Sequence, residues 1–232
     1  MSLATARRES APAIPRGEST RKLILDAAEQ LFATHGINGV SMRTIVTRAG
    51  VNTAAIHYHF GSKEGLVEAV FARRAVPIAE ERLKLLADCR DAAGRPPLLE
   101  QIIHAFVAPT MRGRHIKEYA RLRASMVADS SPFIASLFGK YFDESTGRFL
   151  AAIAVALPNL PENDIYWRVH AMLGAMVYPL ANPGRINRLT AGAFDPTDVE
   201  EALGQLVPLL AHMFRAPPSA APLSAADRQG SD

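Results

Sequence analysis

Apolar residues recur at intervals of three and four along most of the chain, and strict alternation is missing, so the pattern predicts helices throughout. Ser19 or Thr20 caps a first helix running to about His35, with Ile24, Ala27, Ala28, Leu31 and Phe32 on one face and Gly36 as its stop. Ser41 caps a second, with Met42, Ile45, Val46 and Ala49 turned inward. Gly50 turns the chain, Asn52 caps again, and a third helix runs from Thr53 to Phe60 with Ile56 and Phe60 as its buried pair. Ile37, Val40 and Val51, in the connecting turns, fill the same small core.

The pattern then lengthens. Ser62 opens a fourth helix whose apolar positions Leu66, Val67, Val70, Phe71, Ile78, Leu83 and Leu86 carry it to about Arg90, with Pro77 expected to kink or divide it. PPLLEQIIHAFVAPTM and GRHIKEYARLRASMV give a fifth and a sixth, and Ser131-Pro132 starts a seventh with Phe133, Ile134, Leu137, Phe138, Tyr141 and Phe142 on one broad side. An eighth spans about Glu162 to Leu180, and a ninth, bent at Pro208, spans Thr197 to Phe214. The expected fold class is all-α, with about nine helices: an N-terminal three-helix domain containing a helix-turn-helix, and a C-terminal helical bundle. The expected boundaries are an unstructured arm at 1–18, the small domain at 19–65, the bundle at 66–215 and an unstructured tail at 216–232.

Composition narrows the class. A chain of 232 residues with 48% hydrophobic and 21% charged content can bury a full core without staples, and its lone cysteine, Cys89, fits a small apolar filler in a reducing compartment. The longest apolar run, Phe149 to Leu157, is too short for a bilayer, which takes roughly 20 residues. No leader pattern is seen at the N-terminus, so a cytoplasmic protein without a membrane partner is expected. Charge is uneven: residues 1–75 hold ten Lys/Arg against six Asp/Glu, whereas the remainder holds sixteen against seventeen. The excess of positive charge thus lies beside the helix-turn-helix, where phosphates would be met. In the arm, Arg7, Arg8 and Arg16 fit a minor-groove strand or a solvated tail equally well.

The third helix is short, with small residues near its start and rings further on, which permits close approach to a major groove. Thr53 and His57 offer hydrogen bonds, Ala54 and Ala55 suit thymine methyls, and Tyr58 brings a ring and a hydroxyl. His57 and His59 are about 200° apart on a helix and do not share a metal comfortably, so no metal site is expected there.

The order helix, turn, SMRTIVTRAGVNTAAIHYHFGSKEGL and long connecting helix resembles the N-terminal domain of the TetR family of one-component bacterial transcriptional regulators. The resemblance covers about residues 19 to 75 and rests on Ala49-Gly50-Val51, the His59-Phe60 ending and Ser62-Lys63-Glu64 at matching spacing. It implies phosphate contacts from Ser41, Arg43 or Thr44, Asn52, His59 and Lys63, and base-edge contacts from Thr53, Ala54, Ala55 and Tyr58 of an operator duplex. His57 departs from the family pattern, which commonly has tyrosine there, so an imidazole must replace that contact or it is lost. Tyr166-Trp167-Arg168-Val169-His170, then Met172-Leu173-Gly174-Ala175 and a late Leu206-Val207-Pro208, is similar to a branch that answers to long-chain fatty acids or their thioesters.

The resemblance implies a ligand-responsive repressor released from DNA by a small hydrophobic or amphipathic effector, and the last two main helices, more apolar than a monomer needs, suggest a homodimer through them, burial of both inside one subunit being the alternative. Its effector candidates are His104, Phe106, Arg121, Phe138, Tyr141, Trp167 and His170, with Arg123 as a further polar group able to orient an acidic ligand. No dinucleotide, phosphate-loop, metalloprotease or nucleophile-elbow pattern is found, so no cofactor and no enzyme are expected. A helical interaction module, or an all-α enzyme without motifs, is the alternative.

Overall fold

The computed structural model describes residues 16–89, 96–112, 116–129, 131–195 and 197–218. Arg7, Arg8, Arg90, the start of the expected sixth helix and the tail from 219 onward lie outside them. Among the described residues there are ten helices: α1 (Arg16–His35), α2 (Met42–Ala49), α3 (Thr53–Phe60), α4 (Lys63–Asp88), α5 (Leu99–Met111), α6 (Ile116–Val127), α7 (Pro132–Ala156), α8 (Glu162–Ala181), α9 (Pro183–Leu189) and α10 (Val199–Arg215). The all-α class is as expected. The chain divides into two compact units, residues 1–70 and 71–232, with the boundary inside α4.

The first unit closes around Ile24, Leu25, Ala28 and Phe32 of α1, Val40 of the turn that follows, Ile45 and Val46 of α2, Ile56 of α3, and Leu66, Val67 and Val70 of α4, all buried. Burying a Val, Leu, Ile or Phe side chain contributes about 1.5–3 kcal/mol, so the ten of them here hold α2 and α3, eight residues each, which would not persist alone. Two expectations need correction here. α1 begins at Arg16, so residues 16 to 18 of the expected arm are helical. Phe60 is only half-buried beside the fully buried Ile56, and the Arg21 guanidinium lies 5.4 Å from its ring centroid.

In the second unit α5 is the central rod, with every residue from Ala105 to Met111 buried. It packs against α7, α8 and α10, and α6 packs along α8. Phe106 meets Phe149 edge-to-face at 4.9 Å, and Ile153, Val169, Met172, Met176, Leu203, Leu210 and Phe214 complete the core. Cys89 is half-buried against this core, as a small filler would be, and burial raises its thiol pKa.

Two helix expectations change. Of the kink or division expected at Pro77, the division does not occur: α4 is one helix from Lys63 to Asp88. Pro77 is exposed, so water can satisfy the carbonyl four residues back that lost its donor. α9 makes the count ten, not nine: Asn182-Pro183-Gly184 reads as a break, yet proline is tolerated at the first helical position, where its missing N–H costs nothing.

Candidate nucleic-acid interface and effector cavity

The turn between α2 and α3 is fixed by the backbone itself. Ser41 Oγ accepts the Thr44 N–H at 3.1 Å to start α2. At its other end Gly50 takes φ 68°, while Val51 N–H donates to Val46 O at 3.2 Å and Gly50 N–H donates to Thr47 O at 3.3 Å. That crossed pair is a Schellman stop, and the left-handed residue it requires is favoured as glycine. Two residues later Asn52 Oδ1 accepts the Ala55 N–H at 2.8 Å and restarts the helix. α4 begins likewise, with Ser62 Oγ accepting the Gly65 N–H at 3.1 Å. A Cβ on Gly65 would lie 2.2 Å from Phe60 O, so the α3–α4 corner closes only on glycine.

These caps orient α3 so that Ile56 is buried while Thr53, Ala54, His57 and Tyr58 face solvent and Ala55 and His59 are half-covered. Tyr58 is 85% exposed and meets His59 edge-on at 5.1 Å. Ser41, Arg43, Thr44 and Asn52 are also exposed, and Lys63 is half-exposed at the start of α4. His57 Nδ1 lies 3.0 Å from Gly61 O. A carbonyl oxygen only accepts, so Nδ1 carries the proton; Nε2 is then an acceptor in the neutral ring and a donor in the charged one. The imidazole is therefore tied to the corner and its outer nitrogen points away from that bond. It would contact a phosphate only when protonated.

In the second unit, α4, α6, α7 and α8 surround a cavity of about 640 Å³. Its lining is mostly apolar, including Met126, Ile134, Phe138, Phe142, Leu173 and Val177, with Arg82, Arg123, Asp129, Asp143, Thr146, His170 and Tyr178 as polar groups. Of the sequence candidates it gathers Phe138, His170 and Arg123. His104 lies instead beside a separate cavity of about 430 Å³ with Cys89 and Gln101. Phe106 is buried in the core, and its ring face is covered by the Arg82 guanidinium at 3.7 Å. Arg121 is exposed, Tyr141 packs on Phe71 at 5.8 Å, and Trp167 is 68% exposed with its ring edge-on to His170 at 6.3 Å; none of the three lines the 640 Å³ cavity.

Arg82 escaped the sequence reading, although it stands four residues after Ile78 on the apolar face of α4, where a charge is out of place. It is 1% exposed; Nε donates to Phe106 O at 2.8 Å and Nη2 to Thr110 Oγ1 at 2.9 Å. Arg123 is 5% exposed, and its Nε and Nη1 have no hydrogen-bond partner among the described residues. Both guanidinium carbons lie 5.4 Å from the Phe142 ring centroid. Burial pushes both groups below the ordinary arginine range, and for Arg82 the neighbouring positive charge of Arg123 pushes the same way. No group of three or more His, Cys, Asp or Glu is placed to hold a metal among the described residues.

A helix-turn-helix head followed by an all-helical body with an apolar cavity is the build of a helix-turn-helix regulator. The chain belongs to the TetR family: residues 24–70 match the family model described as bacterial regulatory proteins, tetR family, and residues 103–213 match the tetracyclin repressor-like C-terminal domain. Among curated relatives it is 31% identical over 121 residues to the transcriptional repressor BepR of Brucella suis, covering 51% of this chain and 57% of that protein. It is 36% identical over 61 residues to the transcriptional regulator SrpR of Pseudomonas putida, covering 26% of this chain and 29% of that one. The match thus spans little more than half of these relatives at most. In fold it is similar to a regulator from Saccharomonospora viridis solved in complex with choline, at 17% identity and a TM-score of 0.60, over 84% of this chain and 97% of that one.

Proposed function

We propose that the chain is a DNA-binding transcriptional repressor that leaves its operator when a small hydrophobic or amphipathic molecule enters the second unit. The observation that carries the reading is α3: a short helix anchored by a fully buried Ile56, capped at both ends, and presenting Thr53, Ala54 and a Tyr58 that is 85% exposed. Groups that read base edges must project from a rigid support, and these do. Ser41, Arg43, Thr44, Asn52, His59 and Lys63 flank them as phosphate ligands, and Ala55 and His57 complete the reading face.

Members of this family act as dimers on operator DNA. Here two copies would pair through α8 and α10, whose Trp167, Tyr178 and Leu209 are 68%, 54% and 63% exposed. Such a dimer presents two α3 helices to half-sites roughly 34–36 Å apart, or at a related spacing. α4 carries the signal: its start belongs to the reading unit, and its Arg82 lines the effector cavity. A coupling of about 1–3 kcal/mol suffices for a 5- to 150-fold change in operator affinity. The reading requires residence with the DNA in the cytoplasm, and no described helix is long and apolar enough to cross a membrane. The effector class expected from the C-terminal resemblance is a fatty acid or acyl thioester.

The test is selection of a duplex from a random library by the full chain, followed by binding of that duplex across salt concentrations. Log affinity should fall linearly with log salt. Tyr58→Ala should relax sequence preference at one position by about 1–3 kcal/mol, whereas Lys63→Ala should weaken all sequences alike and lower the salt slope by about one. Unchanged selection by Tyr58→Ala would remove α3 as the reading element, and the absence of any salt-dependent DNA binding would favour the helical interaction module.

A further inference from the structure

The cavity of the second unit combines two features that conflict in an empty apolar chamber. Its wall is built from rings and aliphatic chains, yet one of its lining groups, Arg123, keeps a guanidinium 5% exposed with Nε and Nη1 unbonded. Arg168 of α8 shows how the same fold handles a buried guanidinium whose role is purely structural, because both of its Nη atoms are bonded to carbonyl or carboxylate oxygens. Arg82 in the same cavity is tied to α5 by Phe106 O and Thr110 Oγ1. Arg123 alone of the three stands in the cavity wall with buried guanidinium nitrogens that have no hydrogen-bond partner among the described residues. A buried guanidinium short of acceptors matches a carboxylate.

We infer that Arg123 is the anchor of an amphipathic carboxylic acid, whose carboxylate pairs with its guanidinium and whose apolar body lies between α7 and α8 against Phe138, Leu173 and Val177. Arg82, 5.4 Å from the shared partner ring Phe142, adds a second positive charge to the same end of the cavity. Asp129 and Asp143 are the acidic residues of the lining; both are at least partly exposed, whereas both arginines are buried. The positive field therefore dominates the dry part of the chamber, and a quaternary ammonium such as the choline held by the Saccharomonospora viridis protein would meet it with the wrong sign. A volume of about 640 Å³ lies within the range of about 300–1,000 Å³ that takes a drug-sized molecule, so the ligand is a compact acid.

The inference rests on reading the second unit as the effector body, and its test keeps the two separable. Octanoate and dodecanoate, below their micelle concentrations, are titrated calorimetrically into the full chain, and 1-octanol and 1-dodecanol serve as neutral partners of equal length. Each acid should bind at least tenfold more tightly than its alcohol. Arg123→Met should weaken the acids by about 10- to 150-fold, the range for losing a hydrogen bond to a charged group, and leave the alcohols within about twofold. Arg123→Lys, which keeps the charge and loses the fork, should fall between. Alcohols binding as well as the acids, retained acid preference in Arg123→Met, or no binding of either acid would each overturn the assignment. The comparison of acid with alcohol on the unaltered chain needs no variant to fold. DNA release is scored separately: Arg123-dependent acid binding with no effect on a selected duplex would leave this site standing and remove release of the operator by such an acid.

Discussion

At the end of α10, Arg168 meets five oxygen atoms: Nη1 donates to Met213 O, Phe214 O and Ala216 O at 3.0, 2.7 and 2.9 Å, and Nη2 to Pro217 O and Asp164 Oδ2 at 2.8 and 3.0 Å. In the cavity wall, Arg123 is buried just as deeply and leaves Nε and Nη1 without a partner among the described residues. Both residues belong to the same unit, and burial alone does not distinguish them. What differs is whether the protein supplies the oxygens. The last carbonyls of a helix have no intrahelical donors, so a cation placed there completes α10 and also answers its dipole. The cavity offers Arg123 rings at 5.4 to 5.9 Å, which attract a cation and accept no N–H in its plane. A guanidinium satisfied by its own chain is structural; one left open beside a chamber is set up for something from outside.

The largest effect should follow from breaking the satisfied member. Arg168→Met leaves Asp164 buried without its cationic partner and strips donors from the end of α10. Removing one partner of a buried pair costs about 3–5 kcal/mol. Chemical denaturation should show a loss of that size, and Asp164→Asn in the same chain should recover part of it, because the stranded charge is then gone. A loss below about 1 kcal/mol would mean that the clasp at α10 is not what holds Arg168.

The other arginine should respond with the opposite sign. Arg123→Met removes a desolvated charge, keeps most of the apolar stem and lets the side chain join Phe138 and Phe142. Leaving a buried donor unsatisfied costs about 1–3 kcal/mol, and more for a charged one, so the ligand-free variant should be more stable by about that amount. The measurement is the denaturation midpoint of both proteins stripped of bound lipid. Destabilisation instead would assign Arg123 a structural duty and place it with Arg168.

How far the sequence discloses this contrast depends on what sets each feature. The reading unit was legible because its determinants are local: Ser41, Gly50, Asn52 and Ser62 each act within three or four residues, and α2 and α3 begin and end where those caps predict. The cavity was less so. Phe138 and His170 stand in its wall, while Phe106, Tyr141 and Trp167 share the same apolar periodicity and face the core, Phe71 or solvent. Which face of a helix borders a void depends on how four helices meet, and periodicity cannot report that. Arg123 and Arg168 look alike in sequence, each an arginine inside an amphipathic helix, since the carbonyls that satisfy Arg168 come from 45 to 49 residues away.

The smallest effect concerns the same α10 terminus from its solvent side. Arg215, its last residue, pairs with Glu100 of α5, with Nη2 2.8 Å from Oε2. Its hydrogen bond, reinforced by the charges of Arg215 and His212, holds the Glu100 carboxyl below its ordinary value of 4.5. A carboxyl lowered in the folded state contributes stability that is complete above the unfolded value and lost as pH falls through the folded one. Both side chains are more than one-third exposed, so solvent screening limits the pair to under about 1 kcal/mol. Wild type should therefore exceed Glu100→Gln slightly at pH 7, and the gap should shrink as pH falls below about 5 and through the lowered Glu100 value. A gap that does not shrink on acidification would mean that the Glu100 charge is not what supports the pair, and one that matches the Arg168→Met loss would show that the end of α10 is held from its surface and not by the buried clasp, so that the contrast with Arg123 would lose its structural member.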